Sequence, residues 1–177
     1  MDDVFLTIQK AAQATFKDRN SRFIGLVFPV DNESQVKEIQ AQLRKEYYDA
    51  RHHCFAYVIG FEKEIFRAND DGEPSGSAGK PIHNQLLSSG VTNVLAVVVR
   101  YFGGTKLGVP GLINAYKTAT KLALDEAGIV EKHTARTLQL SFTYPEINSV
   151  MQIVQTDGVK IQNQIFDNNC SMELLVR

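Results

Sequence analysis

Hydrophobic positions change their period several times along this chain, and each change marks an expected element. Residues 13–17 and 22–30 alternate: Phe23, Gly25, Val27 and Pro29 fall on one face, Ile24, Leu26, Phe28 and Val30 on the other. With Asp18-Arg19-Asn20-Ser21 as turn chemistry between them, they read as a hairpin. The period then lengthens to that of a helix. Val36, Ile39, Leu43 and Tyr47 make one apolar stripe, opened by an Asn32/Gln35 capping box and ending near Tyr48. Cys54 to Phe61 is rich in aromatic and β-branched residues and predicts a strand, which Glu62-Lys63 turns back into a second strand over 64–68. Residues 82–89 predict a short helix stopped at Gly90.

Val94 to Val99 is a continuous apolar run, the pattern of a strand covered on both faces. A helix from about Val109 to Ala127 follows, with Pro110 in its first turn and Gly128 as its stop. Residues 129–134 are polar and read as a linker. Beyond them the pattern gives a strand (137–143), a helix (145–155) and two strands (159–166 and 171–176). That β-α-β-β order is a ferredoxin-like module short of its last helix and strand. The expected organisation is therefore α+β, with an α/β domain over residues 1–133 and a ferredoxin-like domain over 134–177.

Composition adds little to this picture. The 177 residues are 44% hydrophobic and 22% charged, with a net charge of −1, which suits an ordinary globular chain. So neutral a chain is not expected to hold nucleic acid through global charge, although a local patch can still do so. Two distant cysteines, Cys54 and Cys170, read as buried thiols of a reducing compartment. With no signal pattern and no apolar run of membrane-spanning length, the expected location is the cytoplasm, and no membrane partner is expected. Oligomeric state is not legible.

Candidate chemistry gathers in two stretches, 69–81 (NDDGEPSGSAGKP) and 99–116 (VRYFGGTKLGVPGLINAY). In the first, Asn69 and Asp70 read as turn formers that bond their own backbone, while Asp71 and Glu73 stay open as acid groups. Ser75 and Ser77 lack the glycine spacing of a nucleophile elbow, so their small size points to close backbone approach instead. In the second stretch, Gly103, Gly104, Thr105, Lys106 and Gly108 precede a helix N-terminus. Backbone N–H groups, the helix dipole and Lys106 could there meet an anion, or the glycines could serve turn geometry alone. The Gly-Lys-Ser/Thr ending of a P-loop is missing. Arg100 and Tyr101 leave the apolar strand at its carboxyl end, where ligands bind in many α/β sheets. Arg100 is expected to pair with Asp71 or Glu73 and so to bring residues 71–79 beside 100–108. The histidines His52, His53, His83 and His133 have no metal-ligand spacing, and structural or solvated roles are expected for them. No metal and no cofactor are expected.

The DGEPSGSAGKP and RYFGGTKLG runs closely resemble the signatures of the IMPACT family, whose bacterial members are often called YigZ. The likeness is dense over residues 13–133 and looser in the tail. It falls on His52, Asp71 to Gly76, Gly79, Pro81, Arg100 to Gly104, Lys106 to Gly108, Gly111, Leu112, Ala115 and Tyr116. Ser77, Pro110 and Asn114 depart from the usual threonine, glycine and arginine. The resemblance implies a first domain like domain IV of elongation factor G, also found in galactokinase-type kinases, and a second like its domain V. It further implies a regulatory or binding protein linked to translation, engaging RNA or a ribonucleoprotein and carrying no established reaction. The alternative is a small-molecule or nucleotide-binding enzyme that uses Arg100, Gly103-Gly104 and Lys106 on a small anion. The ligand set that either reading draws on is Asp71, Glu73, Ser75, Ser77, Arg100, Tyr101, Gly103, Gly104 and Lys106.

Overall fold

Residues 3–176 are described by a computed structural model. Their contacts divide the chain into two compact units, Phe5–Lys132 and His133 onward together with the start of the chain.

In the first unit the alternating residues of the hairpin form β2 (Ala12–Asp18) and β3 (Ser21–Pro29). Helix α1 (Glu33–Glu46) follows, and the Asn32 side chain accepts from the Gln35 N–H at its start. Next come β4 (His52–Ile59), β5 (Ile65–Asn69), α2 (Gly79–Ser88), β6 (Val94–Tyr101) and α3 (Gly108–Ala127). Five of these strands make one sheet in the order β2-β3-β6-β4-β5. Every pairing in it is antiparallel. The rule that places ligands at the carboxyl ends of parallel strands therefore does not explain this site; the side-chain parity of β4 and β6 does.

β6 is the middle strand, buried on both faces, as its unbroken apolar run requires. Val94, Ala96 and Val98 face α2 and α3, packing with Ile82, Leu86, Leu112, Tyr116 and Ala119. Leu95, Val97 and Val99 face α1, packing with Val36 and Leu43. β4 divides in the same way: Cys54, Ala56 and Val58 join the first layer, Tyr57 and Ile59 the second. Helix α3 lies so close to β3 that a Cβ at Gly25 would overlap the Ala119 carbonyl.

Two strands differ from the expectation. β1 (Val4–Ile8) precedes the first expected element, and the segment expected as a linker, residues 129–134, is mostly strand: Ile129–His133 is β7, which pairs with β1, and the division between the two units falls within it. A two-stranded ribbon leaves most of β7 exposed, so Glu131, Lys132 and His133 carry no apolar alternation to announce a strand.

In the second unit, β8 (Arg136–Phe142), a single 3₁₀ turn at Tyr144–Glu146, α4 (Ile147–Thr156), β9 (Lys160–Ile165) and β10 (Cys170–Val176) follow one another. The antiparallel sheet has the order β8-β10-β9 and packs Met172 and Leu174 against Val154 of α4. The described residues thus have a mixed α/β architecture with four α-helices. Among the described residues, no helix is long and apolar enough to cross a membrane.

Candidate functional site

Strand parity decides what reaches the face under α2 and α3. Arg100 continues the Val94-Ala96-Val98 face at the exit of β6, and its register partner on β4 is His52. Tyr101 and His53 turn the other way. The phenol of Tyr101 donates to Asp49, and His53 packs beside Arg44 near α1.

Above Arg100 and His52 opens a cleft of about 450 Å³. Its polar lining is Arg51, His52, Glu73, Arg100 and Lys106, and its apolar lining is Pro74, Phe102, Leu107, Val109 and Leu112, with Gly108 between them. The volume lies in the range of about 300–1,000 Å³ usual for small-molecule sites.

The floor is a hydrogen-bonded chain. Arg100 Nη1 donates to Glu73 Oε1 at 2.6 Å, and the Tyr116 hydroxyl donates to the same oxygen at 2.6 Å. The Cys54 thiol donates to the Asp70 carbonyl at 2.9 Å and lies 3.4 Å from the Tyr116 oxygen. Burial pushes both the Cys54 thiol and the Tyr116 phenol well above their usual pKa, so both keep their protons across the physiological range. Glu73 and Arg100 are 9% and 6% exposed, which makes the pair a neutralised, desolvated unit. Arg100 Nε has no hydrogen-bond partner among the described residues. His52 Nδ1 lies 2.7 Å from the Asp71 carbonyl, which can only accept; that nitrogen therefore carries hydrogen. Nε2 faces Glu73 Oε2 at 3.9 Å.

The two stretches do meet, through Glu73 and Arg100, but several expected site residues point elsewhere. Asp71 turns toward α1, where Arg44 donates to it at 3.1 Å and the His53 N–H at 2.7 Å. Burial raises its pKa, but the His53 N–H and Arg44 outweigh that and hold it below the usual carboxylate range. Ser75 is exposed and lies outside the cleft lining. Ser77 is buried and donates to the Pro74 carbonyl at 2.6 Å. Gly103 gives its N–H to Ser21 Oγ at 3.1 Å, and a Cβ there would overlap the Asn20 backbone, so its N–H is engaged within the chain. Gly104 is exposed with φ +90° and is likewise not part of the lining.

The backbone that faces the cleft is the start of α3 instead. No side chain caps this N-terminus, and no acid stands in its first turn. At α2 the corresponding place is filled from within. Asp70 accepts from the N–H groups of Gly76, Ala78 and Gly79 at 2.9, 3.1 and 2.8 Å. One helix start thus holds an internal carboxylate, while the other opens onto a cleft beside Lys106.

Arg51, His52 and Phe102 were not among the expected site residues. For His52 a solvated or structural role was expected, yet it lines the cleft. The available signal was parity: His52 shares the face of Cys54, Ala56 and Val58. Which strand stands beside β4 could not be read from local pattern. Among the described residues, no cluster of histidine, cysteine, aspartate and glutamate is suited to hold a metal ion.

Comparison with known proteins agrees with the signature runs. The Impact N-terminal domain model matches residues 19–124. IMPACT family member YvyE of Bacillus subtilis (strain 168) is 34% identical over 172 residues, covering 97% of this chain and 79% of that protein. IMPACT family member YigZ of Escherichia coli (strain K12) is 38% identical over 143 residues, covering 79% of this chain and 70% of that protein. A solved structure described as the crystal structure of a hypothetical protein superposes with a TM-score of 0.80 at 31% identity, over all of this chain and 87% of that one. With its family domain matched over more than half its length, and relatives aligned across most of theirs, the chain belongs to the IMPACT family.

Proposed function

We propose that this chain is a noncatalytic, translation-linked binding protein that engages RNA through phosphate contacts at the cleft. Translation enters from what membership of the IMPACT family implies, and RNA from the electrostatics of the site. The carrying observation is the cationic surplus of the cleft. Its one acid, Glu73, is neutralised by Arg100, whereas Arg51 and Lys106 form no ion pair among the described residues. The open N-terminus of α3 adds to the same field. Two acid–base groups at the site are already engaged: Glu73 by two donors, and the Cys54 thiol by burial. That favours binding over reaction.

We further read residues 1–133 and 134–177 as two domains like domains IV and V of elongation factor G. Support for the second is the strand order β8-β10-β9, that of the first three strands of a ferredoxin-like fold.

The test is RNA titration at two salt concentrations, with wild type and Lys106→Ala. Each phosphate neutralised contributes a log–log slope of about −0.7 for a single strand. Few contacts and a shallow slope are expected, and Lys106→Ala should flatten it by about one contact. RNA binding that is absent, or that ignores both salt and Lys106→Ala, would overturn the proposal.

A further inference from the structure

We infer that the cleft takes a single nucleotide unit, with its phosphate at Lys106, Arg51 and the start of α3 and its base stacked on Phe102. The inference rests on the proposed phosphate binding and adds the chemical class of what is attached to the phosphate.

Three observations carry it. First, more than charge lines the cleft. Phe102, Leu107, Val109 and Leu112 give it apolar surface that a bare phosphate would leave unused. Second, Phe102 keeps 47% of its surface exposed at the exit of a buried strand, with the Arg100 guanidinium carbon 5.5 Å from its ring centroid. A ring with a cation on one side and open surface elsewhere is a stacking platform, and stacking tolerates any base. Third, Phe102 and Lys106 stand at the two ends of one short loop, and that loop leads straight into the uncapped N-terminus of α3. Platform and phosphate site are therefore a few residues apart. Arg100 contributes an unpartnered buried donor beside them.

A nucleotide unit has two sources, a free mononucleotide or one residue of a single strand, and calorimetric titration of the full chain separates them. The probes are AMP, ribose 5-phosphate, an oligoadenylate and the same strand made abasic. AMP should bind more tightly than ribose 5-phosphate by roughly 5- to 150-fold, the usual worth of one stacked base. Phe102→Ala should erase that gap and Phe102→Tyr should keep it. Lys117→Ala, which removes equal charge from the separate hollow between α2 and α3, should leave the gap unchanged. Phe102 is exposed, so its variants should melt like wild type.

Equal affinity for AMP and ribose 5-phosphate, or a gap that survives Phe102→Ala, would overturn the inference. The same holds for the two strands if they bind equally while AMP shows no preference; RNA binding would then stand and the nucleotide cleft would fall. If AMP binds with the Phe102 signature and neither strand binds, the nucleotide cleft stands and the RNA reading falls.

Discussion

The two loops that meet at Arg100 are built on opposite plans. The first, Asp70 to Ala78, is closed upon itself. Asn69 accepts from the Asp71 N–H, Asp70 holds three backbone N–H groups, Ser77 bonds Pro74, and Asp71 reaches out to Arg44 and His53. The second, Phe102 to Leu107, is tied at few points: the Gly103 N–H to Ser21, and the Lys106 carbonyl to Arg19 at 3.3 Å. Its side chains Phe102 and Lys106 remain exposed. A loop that satisfies its own polar groups positions something, here Glu73. A loop that leaves them open has surface to offer a ligand.

The contrast predicts where substitutions will cost stability. The largest effect should come from Glu73→Ala, which strands the buried Arg100 guanidinium. Loss of one partner of a buried pair costs about 3–5 kcal/mol, measurable as a lower urea midpoint. Asp70→Ala comes next, at about 2 kcal/mol, because three N–H groups at the start of α2 lose a charged acceptor. A loss below about 0.5 kcal/mol would mean that the first loop is not held from within. Gly103→Ala should cost about 1–3 kcal/mol, since a Cβ there meets the Asn20 backbone. It tests whether the second loop is anchored at that one point. Lys106→Ala should change stability by less than about 0.5 kcal/mol while weakening RNA binding, the signature of a residue kept for an external partner.

The smallest effect is one of pH. Burial, and then Arg44, lower the pKa of His53 from its usual value near 6.5. Its neutral form is thus favoured in the folded state. Its contribution is complete above pH 6.5 and lost as pH falls from there toward the folded-state pKa. A slight drop in melting temperature between pH 7 and 5 is expected, reduced in His53→Gln. Equal drops in both proteins would assign the effect to other groups.

Much of this was legible from period and turn chemistry. The β6 run, the α3 stripe and the Asn32 cap are local patterns, and the structure forms them where the pattern lies. Arg100 beside a carboxylate followed from two charged stretches around small residues. The choice of Glu73 over Asp71 did not, because it depends on a turn with positive φ at Asp71 and Gly72, 42° and 85°, and on partners of Asp71, Arg44 and His53, that are distant in sequence. Nor did the role of His52, which needs β4 to lie next to β6. The backbone that lines the cleft is the start of α3 and not Gly103 or Gly104 for a similar reason: the hairpin turn at Asn20-Ser21 occupies the space beside Gly103, a contact 82 residues away in sequence. β7 escaped notice because an exposed ribbon strand has no buried face to impose alternation.

The buried Cys54 thiol gives the protein a built-in timer. A thiol is reactive only as the thiolate, and this one is fully covered, with its proton held well beyond neutral pH. An alkylating reagent can therefore reach it only when the structure around it opens. The other cysteine, Cys170, is 1% exposed and lies in the second unit. One thiol marks each unit, so the two labelling rates, read by mass spectrometry under native conditions, clock the opening of each unit separately. A ligand that binds beside Arg100 and steadies the first unit would slow the Cys54 clock and leave that of Cys170 running at its own pace.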